Sequence, residues 1–279
     1  MADSALMKLE DMLPEAAYLI EKEVFTEKEM RDIMAGRRSH ELAINSRAFT
    51  LRDYLNYINH EIKVECRRRE RFVELKIKKE SQRDHTIVQR IHDLFNRCLS
   101  KFAHDLSVWH KNIEFCASSG GSKALNRVLM RAIKRHPRAA SFRIIAADRE
   151  LQQGNLTGAR KLLMRSVRIG TDNQLKIWEQ LFKLECVAIH KIVTTPLGAK
   201  ASSTEEAETN ADEEPATPAA SCLAAVVVHR HAVKELSSNK TALGKFIDFA
   251  KEAVDTLGIS IIGFPEPLGF EQLKETVRA

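Results

Sequence analysis

The chain has 279 residues, 44% of them hydrophobic and 29% charged, so it can bury a core and is not a disordered tail. Its 11 glycines, 7 prolines and aromatic content of 6% favour long helices over a mostly β fold. The net charge of +6 is unevenly spread: residues 61–140 hold 19 Lys and Arg against 9 Asp and Glu, whereas residues 201–220 hold six acids and no base. Such a basic segment is typical of contact with RNA or an acidic partner, and equally of a solvated helix face.

Five cysteines lie far apart, with no C-x-x-C pair, which argues against a disulfide framework and a zinc ribbon. They are Cys66, Cys98, Cys116, Cys186 and Cys222. The first residues lack the basic and then apolar stretch of a signal peptide, and no run approaches the roughly 18 apolar residues of a membrane span. We therefore expect a soluble intracellular protein that contacts no membrane.

Helix start signals divide the N-terminal third of the chain. Apolar residues three or four apart predict two short helices, and we expect Pro14 to kink or restart the first of them. Thr26, followed by acids in the first turn, is a typical N-cap and predicts a helix over about residues 27–37. Thr50 predicts a second cap, which opens a long helix that continues past Ile77.

The second half of that long helix is rich in arginine and lysine. These side chains are candidate contacts for RNA or a partner: Arg67, Arg68, Arg69, Arg71, Lys76, Lys78 and Lys79. Acids are interleaved with them at Glu70, Glu74 and Glu80, and this pattern also suits a solvated helix face with i,i+4 ion pairs. Both interpretations remain open.

A repeat of fixed length begins after Arg83. Arg97, Arg131 and Arg165 are equally spaced along the chain, and each follows two apolar residues and precedes a small and then an aliphatic residue. We expect this arginine to pair with a glutamate of an adjacent helix, with partner binding as the alternative.

A second feature repeats almost in step with the first. Trp109, Arg143 and Trp178 recur at nearly the same spacing, and breakers at residues 118–121 and 154–155 separate helices. A period near 34 made of two helices predicts an all-α fold, a right-handed α-solenoid of helical hairpins. The expected packing positions between these helices are Phe95, Cys98, Trp109, Leu129, Ala132, Leu163, Ser166 and Trp178.

Changes in composition predict four segments. An N-terminal helical region covers residues 1–83, and the repeat array covers residues 84–193. Residues 194–221 are rich in Ala, Thr, Glu and Pro and predict a disordered acidic linker. Residues 222–279 predict a C-terminal helical segment, with an apolar stripe over residues 240–257 and a short helix near Glu271.

The usual signatures of catalysis are missing from the sequence. There is no phosphate-binding glycine loop, zinc-protease motif, nucleophile elbow or paired-cysteine motif. His229 and His231 point to different faces of a helix and need further ligands to share a metal. His104, Asp105 and His110 come with no identifiable nucleophile or oxyanion donor. We therefore expect no enzyme activity, no cofactor, no metal site and no small-molecule substrate.

Two parts of the sequence resemble known families. The repeated helices, with Trp109, Phe115 and the spacing from Trp178 to Glu185, resemble HAT (half-a-TPR) repeats, which occur mainly in RNA-processing assemblies. Ahead of them, an N-terminal block resembles the U3 small nucleolar RNA-associated protein 6 family. That block consists of residues 13–15, 25–29, 46–50, 53–58 and 61–62.

This resemblance implies a non-catalytic scaffold in the UTP-B subcomplex of the small-subunit processome, acting in nucleolar pre-rRNA processing and 18S rRNA maturation. The implied partners are WD-repeat proteins of that subcomplex, with U3 snoRNA and pre-rRNA reached indirectly. The alternative is an RNA-binding or scaffold protein of another RNA-processing machine, such as splicing or 3′-end processing.

The sequence also departs from the family pattern. Arg143 stands where the family usually has an aromatic residue, and Cys116 stands in place of an acid, so we expect imperfect packing in these repeats. Members of the family continue through many further HAT units, whereas this chain stops at Ala279, which predicts a short or truncated form.

Overall fold

The computed structural model describes residues 7–76, 82–194, 218–237 and 239–257, and all regular secondary structure in these ranges is helical. The predicted all-α fold class is confirmed. The helices are α1 (Leu13–Glu21), α2 (Glu27–Ile44), α3 (Leu51–Glu74), α4 (Thr86–Lys101), α5 (Leu106–Ser118), α6 (Ser122–Arg135), α7 (Ala140–Gln152), α8 (Leu156–Ile169), α9 (Gln174–Thr194), α10 (Pro218–Leu236) and α11 (Lys240–Leu257). A 3₁₀ turn at Gln82–His85 precedes α4.

Both predicted threonine caps are confirmed. The Thr26 hydroxyl accepts from the backbone N–H of Glu29 at 3.3 Å, and the Glu29 carboxylate accepts from the Thr26 N–H at 2.9 Å. Thr50 and Asp53 form the same reciprocal pair, with a distance of 2.8 Å from the Thr50 nitrogen to the Asp53 carboxylate. These bonds satisfy N–H groups that have no partner within the first turn of a helix.

Two helix ends differ from the prediction. Helix α2 continues to Ile44, well beyond the predicted residue 37, because its buried face continues through Glu41 and Ile44. Helix α3 ends at Glu74, before the predicted Ile77, and Lys76 has a left-handed backbone with φ of 52°. Ile77 itself lies outside the described residues.

The chain divides into two compact units, residues 1–128 and 129–279, so the division falls inside the segment 84–193 that was predicted to be one array. In the first unit, α1 packs on α2, α2 on α3, α3 on α4 and α4 on α5. In the second unit, α7 packs on α8, and α9 packs on α7, α8, α10 and α11. Helices that are neighbours in sequence therefore pair within each unit, as a repeat of two helices predicts.

The C-terminal helices cover one side of α9. Phe246, Ile247 and Ala250 of α11 are buried in the same cluster as Trp178 and Phe182 of α9. Between Leu243 and Ala250, the predicted stripe over residues 240–257 is therefore a buried helix face. Helix α10 begins at Pro218, inside the segment predicted as a linker; residues 195–217 of that segment and the helix predicted near Glu271 lie outside the described residues.

His229 is a titratable group packed against aromatic side chains of this C-terminal core. Its ring lies 6.2 Å from the ring of Phe182 and 5.7 Å from that of Phe246, measured between centroids, and burial lowers the pKa of the imidazole. The unfolded chain therefore binds a proton at His229 more readily than the folded chain does. Stability from this site is complete above about pH 6.5, the pKa of a free histidine, and is lost as the pH falls below it.

The free energy of unfolding of wild type should fall as the pH is lowered from about 6.5 to 5. We expect it to fall less in His229→Leu, which cannot bind a proton at this position. The difference cannot exceed about 1.4 kcal/mol per pH unit, which is the slope for one proton. Chemical denaturation at a series of pH values measures it. The exposed His231→Gln is the matched control, and a pH dependence that is the same in wild type and His229→Leu contradicts the prediction.

Candidate functional site

Four charged side chains, three of them buried and Arg90 partly buried, join the first four helices. Glu15 of α1, Arg37 of α2, Glu61 of α3 and Arg90 of α4 are referred to below as the four-residue network. Arg37 donates from Nε and Nη2 to the Glu61 carboxylate at 2.8 and 3.0 Å, and from Nη2 to Glu15 at 3.1 Å. Arg90 donates to Glu15 and, at 3.1 Å, to Glu61.

The network is electrically balanced, with two carboxylates and two guanidinium groups. Burial raises the pKa of Glu15, but the positive charges of Arg90 and Arg37 outweigh burial, so its pKa is lowered overall. Burial lowers the pKa of Arg90, and the carboxylates of Glu15 and Glu61 reverse that effect and raise it. Both shifts favour the charged forms of Glu15 and Arg90. Because each arginine contacts both acids, the network fixes α1 to α4 relative to one another.

A groove opens beside the network, lined by residues that precede α1 and by side chains of α2, α3 and α4. Its volume is about 640 Å³, and its lining includes Tyr57, Arg90 and Arg97. Tyr57 is completely buried, and its hydroxyl has no hydrogen-bond partner among the described residues. A buried polar atom without a hydrogen bond is costly to the folded state.

The first repeat arginine forms the ion pair that we expected. Arg97 donates from Nη2 and Nη1 to the buried Glu41 carboxylate at 2.9 and 3.2 Å, and Lys8 donates to the same carboxylate at 3.0 Å. For Arg165 the expected pairing is wrong, since this exposed side chain forms no ion pair with any described residue. In its repeat the paired arginine is Arg160, which donates to the buried Glu185 at 2.7 and 2.8 Å.

The arginine-rich stretch of α3 is mostly engaged within the protein. Arg68 is 3% exposed, donates two hydrogen bonds to Glu65 and lies over the ring of Phe72. Arg71 binds the Glu29 carboxylate at 2.6 and 2.8 Å and the Val24 carbonyl oxygen at 2.7 Å. Arg71 therefore holds α3 to Val24 and to Glu29 of α2, whereas Arg68 is engaged by Glu65 and Phe72 of α3 itself.

The rest of that stretch is more accessible. Arg67, Arg69 and Lys76 are exposed, and Arg69 also donates to Glu65 at 2.7 Å. Lys78 and Lys79 lie outside the described residues. Of the seven candidate contacts, the described residues therefore leave Arg67, Arg69 and Lys76 accessible to a partner.

The expected packing positions of the repeats are all buried. Trp109 and Trp178 are each 4% exposed, and the small residues Cys98, Ala132 and Ser166 are fully buried. The remaining three, each no more than 2% exposed, are Phe95, Leu129 and Leu163. A small residue at this position lets neighbouring helices approach closely.

Arg143 occupies the position of the repeat tryptophan and is buried there. The indole Nε1 of Trp109 donates to the carbonyl oxygen of Ala103, six residues earlier, at 3.0 Å. Arg143 is 3% exposed and donates from Nη1 to the carbonyl oxygen of Pro137, also six residues earlier. The guanidinium therefore makes the same hydrogen bond as the indole of Trp109. The prediction of imperfect packing at Arg143 is wrong.

Cys116 also has a role in its repeat. His92 lies 24 residues before Cys116, and its Nδ1 is 3.9 Å from the thiol sulfur. Arg160 lies 25 residues before Glu185 and pairs with it, so the same two repeat positions meet in both places. A weak thiol contact replaces an ion pair in the first repeat.

The histidines and cysteines offer no catalytic arrangement among the described residues. Asp105 caps α5 by accepting from the Ser107 N–H at 2.8 Å, and Nδ1 of His110 lies 2.8 Å from the Leu106 carbonyl oxygen. Burial raises the pKa of the Cys98 thiol to about 12 and of the Cys116 thiol to about 11, so neither is a thiolate nucleophile at neutral pH.

The described part of the chain contains neither a metal-binding group nor a membrane-spanning helix. His, Cys, Asp and Glu side chains form no group there that is suited to hold a metal ion. Every helix in those same ranges is too short or too polar to cross a bilayer.

The N-terminal part of the chain is similar to a known protein family. Residues 9–90 match the sequence model of the family described as U3 small nucleolar RNA-associated protein 6. This segment contains all four members of the four-residue network, from Glu15 to Arg90. The resemblance that the sequence motifs indicate is thereby confirmed.

Curated relatives extend the match into the repeats. The U3 small nucleolar RNA-associated protein 6 of Schizosaccharomyces pombe is 29% identical over 194 residues, which cover 69% of this chain and 40% of the relative. The homologue of that protein in Mus musculus is 25% identical over 195 residues, or 69% of this chain and 32% of the relative. The homologue in Dictyostelium discoideum is 25% identical over 193 residues, or 67% of this chain and 30% of the relative. The chain thus spans less than half the length of these relatives.

Proposed function

We propose that the protein acts in ribosome biogenesis as a non-catalytic scaffold, because residues 9–90 match the model of the U3 small nucleolar RNA-associated protein 6 family. Its place is the UTP-B subcomplex of the small-subunit processome, in the nucleolus, where pre-rRNA is processed towards 18S rRNA. WD-repeat proteins of that subcomplex hold it in the assembly, and its retention there does not depend on U3 snoRNA or pre-rRNA.

One observation carries this proposal. The family segment is the part of the chain that the four-residue network joins, so its helices are held as one unit by buried charge. A fully satisfied buried network rigidifies the helices around it, and a rigid helical surface suits the docking of other proteins. The described residues offer this surface and, as noted above, no group of side chains arranged for chemistry.

The test is affinity purification of the tagged full chain from cell extract, with and without nuclease. We expect WD-repeat proteins of the UTP-B subcomplex to be retained after nuclease, and U3 snoRNA and pre-rRNA only without it. Recovery of RNA without these proteins favours an RNA-binding protein of another processing machine. Recovery of neither contradicts the proposal.

A matched pair of variants tests whether α3 contributes to docking. Arg67→Gln with Arg69→Gln removes two exposed charges from α3, whereas Arg31→Gln with Arg38→Gln removes two exposed charges from α2. We expect the α3 variant to recover less of the WD-repeat proteins than the α2 variant does. Equal recovery excludes α3 as a docking surface.

A further inference from the structure

Two helices of the repeats carry basic side chains and no acid. Helix α6 has the sequence SKALNRVLMRAIKR, with five Lys and Arg, and helix α8 has the sequence LTGARKLLMRSVRI, with four. Neither contains Asp or Glu. Almost every other helix that the structure describes mixes both signs of charge, so these two are unusual for this chain.

The basic positions repeat with the same period as the fold. Met130 and Arg131 of α6 correspond to Met164 and Arg165 of α8, one repeat later, and Lys134 corresponds in the same way to Arg168. All six side chains are exposed, Met130 at 64% and Met164 at 40%. The repeat therefore presents the same basic surface twice, once on each helix. We call these six residues the basic face.

Hydrogen bonds bring the C-terminal ends of α6 and α8 together. Asp172, three residues beyond α8, donates its N–H to the carbonyl oxygen of Arg138, three residues beyond α6, at 3.0 Å. The Asp172 carboxylate also accepts from the N–H of Ala140 at 2.9 Å. Both halves of the basic face lie in the second compact unit, residues 129–279.

Three basic side chains of this face carry charge that no ion pair among the described residues neutralises. Lys134, Arg165 and Arg168 form no ion pair with any residue in the described ranges, unlike Arg68 and Arg71 of α3. Positive charge from Arg165 even reaches the buried Arg143, whose pKa is lowered first by burial and then by Arg165. Uncompensated positive charge of this kind attracts polyanions and releases their counterions on binding.

A groove along α8 contains the α8 half of the basic face. It has a volume of about 660 Å³ and is lined by Arg160, Lys161, Met164, Arg165, Arg168 and Ile169. Lys161 and Arg168 are seven residues apart, which is about 10 Å along a helix at 1.5 Å per residue. That length spans several phosphates of a nucleic acid strand, because each strand of a duplex carries one charge per about 3.4 Å.

From these observations we infer that the basic face, Met130, Arg131, Lys134, Met164, Arg165 and Arg168, binds the sugar-phosphate backbone of RNA directly and without sequence specificity. Repeated charges along two helices suit a repeating polyanion better than an isolated carboxylate. The two exposed methionines offer flexible apolar contact to sugars and bases. This contact is additional to the protein contacts of the proposed scaffold and does not hold the assembly together.

The test is fluorescence anisotropy of a labelled 20-nucleotide single-stranded RNA with the purified full chain, at salt concentrations from 50 to 300 mM. We expect the triple variant Lys134→Gln, Arg165→Gln, Arg168→Gln to bind roughly 100-fold more weakly at about 0.1 M salt. Its plot of log K against log salt should be shallower than that of wild type by about two, or about 0.7 for each lost phosphate contact.

Two other variants control for net charge and folding. Arg38→Gln, Arg52→Gln and Lys63→Gln remove three exposed charges from the first unit, and we expect little effect on RNA binding. Arg165→Lys with Arg168→Lys keeps the charge, and we expect it to keep the salt dependence. Circular dichroism confirms that each variant is folded.

Three results overturn the inference. The first is an equal loss of affinity in the two triple variants, which would mean that only total charge matters. The second is no measurable RNA binding by wild type at 50 mM salt. The third is competition by poly-glutamate at the same charge concentration as effectively as by unlabelled RNA, which would assign the basic face to an acidic protein. Each leaves the nuclease-resistant protein contacts of the proposed scaffold untouched, so the two proposals fail separately.

Discussion

Trp109→Ala is expected to lower the free energy of unfolding by about 3–5 kcal/mol, the usual cost of truncating a buried aromatic residue to alanine. The ring is 4% exposed, and its indole N–H is bonded to the Ala103 carbonyl oxygen at 3.0 Å. Removal leaves a cavity and takes away the hydrogen bond from the indole N–H to the Ala103 carbonyl oxygen. Urea denaturation monitored by circular dichroism measures the change, and a change below about 0.5 kcal/mol contradicts a buried packing role.

The two tryptophans provide a matched comparison for the hydrogen bond. Trp178 is equally buried, but its indole nitrogen has no hydrogen-bond partner among the described residues. Trp109→Phe therefore loses ring volume and a hydrogen bond, whereas Trp178→Phe loses ring volume alone. We expect the first variant to be less stable than the second by about 1 kcal/mol. The same cost in both variants shows that the hydrogen bond contributes nothing to stability.

Glu61→Gln is expected to lower the free energy of unfolding by about 3–5 kcal/mol, because it leaves buried positive charge without compensation. Glu61 is completely buried and accepts three hydrogen bonds from Arg37 and Arg90. In the variant, Glu15 alone must balance two guanidinium groups. Denaturation at pH 7 measures the loss, and a loss below about 1 kcal/mol shows that water reaches the network and screens it.

A double variant separates lost charge balance from lost packing. Arg37→Met with Glu61→Met removes one charge of each sign and leaves Glu15 paired with Arg90. Replacing both partners of a buried ion pair by apolar groups is often nearly neutral, so we expect the double variant to be more stable than Glu61→Gln. Arg69→Gln is the exposed control and should change stability by no more than about 1 kcal/mol. A double variant less stable than the single one contradicts the charge explanation.

The candidate surfaces were only partly predictable. The arginine-rich stretch of α3 was identified from composition, but burial of Arg68 and the bonds of Arg71 to Glu29 and Val24 depend on how helices pack. Arg71 and Val24 are 47 residues apart in sequence. No local pattern links residues at such a distance, so an arginine with a distant internal partner looks the same as one that is free to bind RNA.

The repeat by itself indicates the basic face. Aligning the chain on its own period superposes Arg131 on Arg165 and Lys134 on Arg168, and the lack of acids in both helices is visible in the letters alone. This periodic signal is weaker than the dense run of arginines in α3. What sequence could not supply was which of the aligned arginines lacks an internal ion pair.

The sequence by itself determined the all-α fold class, the period of the repeat, the threonine caps of α2 and α3, and the family resemblance. These features are local or periodic, so spacing along the chain is sufficient to encode them. Tertiary structure alone decided the four-residue network, since Glu15 and Arg90 are 75 residues apart and meet only when their helices pack. It also decided that Arg143 takes over the hydrogen bond of a tryptophan, because a guanidinium reaches a backbone carbonyl only in the folded chain.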